Sequence, residues 1–123
     1  MSRKIMLVDD EPDVAAVVKA VLEKEGFAVA CCSDGRKAWE DIIAFKPDLV
    51  LLDVMLPGVD GWSLQKRLAE EPSTHALPVI VITALEPAKT LFAKSPQVAG
   101  FLTKPFEPQE LMGKIRSALP HND

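Results

Sequence analysis

The chain has 123 residues, a hydrophobic fraction of 48% and a formal net charge of −4. This length is close to the commonest domain size, so we expect residues 1–123 to form one domain with one core. The basic residues are scattered, which argues against direct nucleic-acid binding by this domain. The apolar runs are short, and Asp9 interrupts the first of them, so we expect a cytoplasmic protein without a signal peptide or membrane insertion.

Short apolar runs alternate along the chain with segments of helical period, which is typical of a parallel sheet covered by helices. The first strand is predicted at about residues 4–8. A helix should follow from Pro12, because proline suits a first helical turn, and should end at Gly26. The residues predicted to face inward from this helix are Val14, Val17, Val18, Val21 and Leu22.

The second and third strands are predicted at about residues 27–31 and 48–52. The helix between them should start after the Ser33-Asp34-Gly35 turn and end at Lys46-Pro47, and the helix after the third strand should run to Pro72. The residues predicted to face inward from these two helices are Ala38, Trp39, Ile42, Ile43, Leu64 and Leu68.

The fourth and fifth strands are predicted at about residues 79–82 and 99–102. Pro87 and Pro96 bracket the segment between them, so only a short fourth helix over Ala88 to Lys94 is expected, since proline disrupts a helix interior. The residues predicted to start the last helix or to face inward from it are Pro108, Leu111, Met112, Ile115, Ala118 and Leu119.

The only cysteines are Cys31 and Cys32. Adjacent side chains on a strand point to opposite faces, so a disulfide between them would be strained. We therefore expect two buried free thiols. No basic residue adjoins them to lower a thiol pKa, so the sequence does not favour a redox switch.

Charged residues follow three of the predicted strands. They are Asp9, Asp10 and Glu11 after the first strand, Asp53 after the third, and Lys104-Pro105 after the fifth. Because the carboxyl ends of parallel strands meet at one edge of a sheet, these side chains should converge. Carboxylates held together are costly unless a cation neutralises them, and Mg²⁺ prefers oxygen ligands. An aspartate can also accept a phosphoryl group, so this edge is predicted to bind Mg²⁺ and a phosphoryl group.

Each of these residues also has an ordinary structural interpretation. The acidic cluster could stabilise a helix N-terminus, and Asp53 could cap the turn after it. Thr83, at the carboxyl end of the fourth predicted strand, could bond to nearby backbone. Lys104 could be a solvated surface lysine. What favours the functional interpretation is the combination of all these residues, each at the end of a different strand.

In this order the motifs resemble the receiver domain of two-component response regulators. The matching segments are Val8-Asp9-Asp10-Glu11, Leu51-Leu52-Asp53-Val54-Met55-Leu56-Pro57-Gly58-Val59-Asp60-Gly61, Ile82-Thr83-Ala84 and Phe101-Leu102-Thr103-Lys104-Pro105-Phe106. The resemblance implies a flavodoxin-like α/β fold, a doubly wound five-stranded parallel sheet of order 2-1-3-4-5 with helices on both faces. It also implies a cis bond between Lys104 and Pro105.

The resemblance further implies that Asp53 accepts a phosphoryl group from a sensor histidine kinase or a histidine phosphotransfer protein. Asp10, Asp53 and the backbone carbonyl of Met55 would bind Mg²⁺, while Asp9 would act through a metal-bound water. The protein would be a phosphoacceptor that assists its own phosphorylation, and not a conventional enzyme.

The same resemblance gives Thr83 and Lys104 contacts with the phosphoryl oxygens. Thr83 and Phe101 would form a switch that controls a downstream output protein or domain. Two features depart from the family pattern. The segment from Pro87 to Pro96 implies a short or displaced fourth helix. Met55 and Leu85 are apolar at positions that in the family influence how water reaches the acyl phosphate, so slow autodephosphorylation is our hypothesis.

Three other functions fit parts of this pattern. A phosphatase of the haloacid dehalogenase class needs a second aspartate two residues after the nucleophile, where this chain has Met55. A flavodoxin-type electron carrier would cradle a phosphate at the first strand-helix loop, which is acidic here and would repel it. A receiver-like module that binds proteins without phosphorylation remains the main alternative, although it would be expected to lose some of these site residues.

Overall fold

The computed structural model describes residues 3–53, 61–83 and 95–119, with the backbone alone for residues 61, 62 and 83. The strands are β1 (Lys4–Val8), β2 (Ala28–Cys32), β3 (Leu49–Asp53), β4 (Val79–Thr83) and β5 (Val98–Thr103). The helices are α1 (Pro12–Lys24), α2 (Ala38–Phe45), α3 (Gly61–Glu70) and α4 (Pro108–Ala118), and a 3₁₀ turn over Gly35–Lys37 precedes α2. No helix in these ranges is long and apolar enough to cross a membrane.

The five strands form one parallel sheet of order β2-β1-β3-β4-β5, which confirms the predicted topology. The chain passes from β1 outward to β2 and then returns past β1 to β3. Ligands of open α/β sheets bind where the strand order reverses in this way, beyond the carboxyl ends of the strands. Val8 of β1 lies opposite Leu52 of β3, so the residues that follow them emerge side by side at this reversal.

The core lies in two layers, one on each face of the sheet. Alternate residues of β1 enter different layers, with Leu7 on the side of α1 and α4 and Met6 on the side of α2 and α3. The central strands β1 and β3 are buried on both faces, which is why their sequences are almost continuously apolar. Helices on both faces therefore confirm the doubly wound arrangement.

The strand limits agree with the sequence predictions within one residue in most cases. The first helix and the last helix begin at the predicted prolines, Pro12 and Pro108. The second strand lies one residue later than predicted. The Phe27 N–H bonds to the Leu22 carbonyl at the end of α1, so Phe27 belongs to the turn, while Cys32 accepts a bond from the Asp9 N–H and extends β2.

Three predictions of burial were wrong. Val17 is 51% exposed and Ile43 is 37% exposed, because only a narrow stripe of each helix contacts the sheet. Cys31 is exposed because β2 is an edge strand that its neighbours cover incompletely. The predicted helix over Ala88 to Lys94 lies outside the described residues.

Both cysteines are free thiols, as expected, but only Cys32 is buried. Its Sγ donates to the Asp34 carbonyl at 3.1 Å. Burial raises the pKa of Cys32 to about 11, and burial also raises the pKa of Cys31. Both thiols are therefore largely protonated at neutral pH, which makes them poor nucleophiles.

Two adjacent valines of α1 allow a matched test of the core. Val18 is fully buried whereas Val17 is half exposed. We expect Val18→Ala to lower the free energy of unfolding by about 2 kcal/mol, because it removes two buried methyl groups and leaves a cavity. Val17→Ala should change it by less than about 0.5 kcal/mol. Urea unfolding followed by circular dichroism measures both values, and equal effects of the two substitutions would contradict this packing.

Candidate functional site

Two aspartates lie side by side at the carboxyl edge of the sheet. Asp53 is the last residue of β3, and Asp9 follows β1 directly. Both are almost completely buried, whereas Asp10 is exposed. The Asp9 backbone donates to the Cys32 carbonyl at 3.0 Å, and its Oδ1 accepts a bond from the Glu11 N–H at 2.9 Å. These bonds fix the start of the loop that follows β1.

Three carboxylates at this edge fit a divalent cation. One oxygen each from Asp9, Asp10 and Asp53 lies within 4.8 Å of the others. The Asp9 Oδ2 atom is buried and accepts no well-aligned hydrogen bond from the described residues. Hard oxygen donors are the ligands that Mg²⁺ prefers, so the donor set suits that ion.

Lys104 brings an ammonium group into the same cluster from the end of β5. The Lys104-Pro105 bond is cis, as the resemblance implies. The Lys104 Nζ lies 2.9 Å from Asp53 Oδ2 and 3.0 Å from Asp9 Oδ2, and it also donates to Glu11 Oε1. The first of these contacts is a hydrogen bond, whereas the contact with Asp9 is an ion pair.

The electrostatics of the cluster follow from burial and from these contacts. Burial raises the pKa of Asp9; the Glu11 N–H and Lys104 oppose this rise, and the charge of Asp53 adds to it. Burial alone would lower the pKa of Lys104, but its contacts with the carboxylates of Glu11, Asp53 and Asp9 raise this pKa above the ordinary value. Lys104 therefore stays protonated. Four carboxylates and one ammonium leave a formal excess of three negative charges, which attracts a cation.

The structure also places the other predicted site residues, as far as it describes them. Phe101 is partly buried and packs against the core layer on the side of α2 and α3. Phe101 of β5 lies opposite Val81 of β4. Two residues further along these strands, Thr103 lies opposite Thr83. The Thr83 side chain, Met55 and Leu85 lie outside the described part of the chain.

The pairing of Glu11 with Lys104 is not predicted by the sequence. The sequence pattern places Glu11 in the acidic cluster without a role of its own, whereas in the structure its carboxylate pairs with Lys104. The two residues are 93 positions apart. No local pattern can reveal such a pair, although the convergence of strand ends could have suggested it.

The contacts of Lys104 predict its effect on metal binding. The ammonium lies within 3.0 Å of two carboxylates that fit the cation, so it competes electrostatically with Mg²⁺. Lys104→Met should therefore tighten Mg²⁺ binding by about three- to tenfold, given the strength of a charge interaction at this depth. Isothermal titration calorimetry measures the change. The exposed Lys114, replaced by methionine, is the control and should leave the affinity as it is. Weaker binding in Lys104→Met would contradict the competition.

Comparison with known proteins identifies the family of this chain. A family model described as the response regulator receiver domain matches residues 5–116. Response regulator GtcR from Aneurinibacillus migulanus is 34% identical over 120 residues, which are 97% of this chain and 48% of that protein. The chain spans about half the length of the curated relatives it matches.

Solved structures give the same result. The chemotaxis response regulator CheY4 of Vibrio cholerae superposes with a TM-score of 0.88 at 26% identity, covering 97% of this chain and 100% of that one. The receiver domain of the sensor histidine kinase PA1611 from Pseudomonas aeruginosa PAO1, solved with a magnesium ion coordinated in its active-site cleft, superposes with a TM-score of 0.84 at 27% identity and covers 96% and 98%. The chain therefore belongs to the response regulator receiver domains, the phosphoacceptor modules of two-component signalling.

Proposed function

We propose that Asp53 is the phosphoacceptor of this receiver domain. One of its carboxylate oxygens attacks the phosphorus of a phosphohistidine on a sensor histidine kinase or a histidine phosphotransfer protein. The P–N bond breaks, an acyl phosphate P–O bond forms, and the released imidazole nitrogen takes up a proton. The observation that carries this proposal is the position of Asp53, whose Oδ2 lies 2.9 Å from the Lys104 ammonium inside the acidic cluster.

We further propose which residues bind the metal. Asp10 and Asp53 hold Mg²⁺ directly together with the backbone carbonyl of Met55, and Asp9 acts through a metal-bound water. When bound, Mg²⁺ neutralises charge on the phosphoryl oxygens. The support for this assignment is that one oxygen from each of the three aspartates lies within 4.8 Å of the others.

Lys104 and Thr83 then bond to the phosphoryl oxygens. For Lys104 the support is its short distance to the acceptor carboxylate, and for Thr83 it is the position at the end of β4, beside β3. Thr83 and Phe101 form the switch that reports phosphorylation to an output protein or domain. Since Phe101 lies on β5, which pairs with β4, a movement at Thr83 has a direct route to it.

We also propose the partners and the cellular location, and membership of the receiver family supports both. Residues 1–123 act as one cytoplasmic receiver domain, which a histidine kinase or phosphotransfer protein phosphorylates. This domain controls its output protein or output domain, and does not itself bind nucleic acid or membrane. It assists its own phosphorylation but loses the phosphoryl group slowly, because Met55 and Leu85 are apolar and orient an attacking water poorly.

Incubation with acetyl phosphate tests the function. The purified protein is treated with this small phosphodonor in Mg²⁺ or in EDTA, and the intact mass is measured. We expect one added phosphoryl group in Mg²⁺ and almost none in EDTA. No adduct under either condition would favour the receiver-like module that binds proteins without phosphorylation. An equal adduct in EDTA would overturn the Mg²⁺ dependence.

A further inference from the structure

The Lys104 ammonium lies within ion-pair distance of three carboxylates, which differ sharply in their exposure. The side chains of Asp9 and Asp53 are 0% and 4% exposed, whereas the Glu11 side chain is 56% exposed. A lysine ammonium has three donors and no others. In the unphosphorylated protein the ammonium donates to Glu11 and Asp53 and forms an ion pair with Asp9.

Phosphorylation of Asp53 creates a new acceptor for Lys104. Phosphorylation uses one Asp53 oxygen, and the other oxygen remains an acceptor as the acyl carbonyl. If Lys104 keeps its contact with Asp53 and also bonds to a phosphoryl oxygen, either Asp9 or Glu11 must give up its place. Releasing Asp9 would leave a buried carboxylate without a counter-charge, since its Oδ2 accepts no aligned hydrogen bond from any described residue. Glu11 can return to water, because more than half of its side chain is already exposed.

We propose that Glu11 is a positioning residue that occupies one N–H donor of Lys104 in the unphosphorylated protein and gives up this bond to the incoming phosphoryl oxygen. This inference rests on the proposed function of Asp53. Glu11 thus accepts the Lys104 hydrogen bond that the phosphoryl group accepts later. Because the Glu11 contact is made before the reaction and lost during it, the contact slows phosphorylation.

Substitution of Glu11 tests the rate. Glu11→Gln keeps the size of the side chain but removes its charge, so the Lys104 donor is released more easily. We expect phosphorylation by subsaturating acetyl phosphate to be about two- to fivefold faster, which corresponds to the strength of an exposed ion pair. In a Lys104→Met background the same substitution should have no effect, because Glu11 acts through Lys104.

Asp13 provides a matched control for charge. It is exposed, borders the same groove as Glu11 and Lys104, and has no contact with Lys104 among those described. Asp13→Asn also removes one negative charge near the site. It should leave the rate within experimental error of wild type. If Asp13→Asn accelerates the reaction as much as Glu11→Gln, general repulsion of the anionic donor explains the effect and the proposal is wrong.

A crystal structure of the complex with Mg²⁺ and beryllium trifluoride, a phosphoryl analogue that binds aspartate, provides a readout independent of rates. We expect the Lys104 Nζ to contact a fluorine and Asp9, with Glu11 more than about 4 Å away, beyond ion-pair distance. A retained Glu11 contact, or a wild-type rate in Glu11→Gln, would overturn this inference alone. Absence of any adduct in wild type would instead overturn the proposed function.

Discussion

Asp53→Asn is expected to lose the phosphoryl adduct that acetyl phosphate produces in Mg²⁺. The asparagine amide has nearly the same shape as the carboxylate but is a poor nucleophile, and it carries no charge to attract the metal. We expect the amount of adduct to fall by about a hundredfold or more, which is typical for removal of a nucleophile. Intact mass after a fixed incubation measures it.

The exposed Asp13 serves as the control for this substitution. Asp13→Asn changes the same chemical group outside the acidic cluster and should keep the wild-type amount of adduct. Circular dichroism and urea unfolding of Asp53→Asn show whether the variant is folded. A folded Asp53→Asn protein that still gains one phosphoryl group at the wild-type rate would mean that another residue is the acceptor.

Asp10→Asn is expected to weaken Mg²⁺ binding by at least about tenfold, because it removes one of the proposed charged oxygen ligands. Asp10 is exposed, so its replacement should not destabilise the fold, and the loss can be assigned to the metal site. Isothermal titration calorimetry measures the affinity. Asp13→Asn is again the matched control and should bind Mg²⁺ about as well as wild type. Equal affinities of Asp10→Asn and wild type would remove Asp10 from the ligand set.

Much of the fold could be predicted from local pattern because the central strands are buried on both faces. Such strands are almost entirely apolar, and β1 and β3 were located on that basis. Burial at the margins was harder to predict. Val17 lies in the predicted helix and Cys31 in the predicted strand, yet the side chains of both are exposed. Their exposure depends on neighbouring elements that the local sequence does not specify.

The candidate site shows the same division. The rule that strand ends of a parallel sheet converge predicts that Asp9, Asp53 and Lys104 lie together. In the structure the Lys104 Nζ lies within 3.0 Å of an oxygen of each aspartate. The pairing of Glu11 with Lys104 depends on how two loops approach each other across the sheet edge. Periodicity carries no information about such an approach. The role of the Met55 carbonyl in metal binding and the helix over Ala88 to Lys94 remain predictions, since both lie outside the described residues.

The most direct test of the central claim locates the phosphoryl group. Protein treated with acetyl phosphate and Mg²⁺ is reduced with borohydride, which converts an aspartyl phosphate to homoserine, and its peptides are sequenced by mass spectrometry. We predict homoserine at position 53 in the Mg²⁺ sample and unmodified Asp53 in the EDTA sample. Homoserine at another aspartate, or an adduct that borohydride does not convert, would contradict the assignment of Asp53 as the phosphoacceptor.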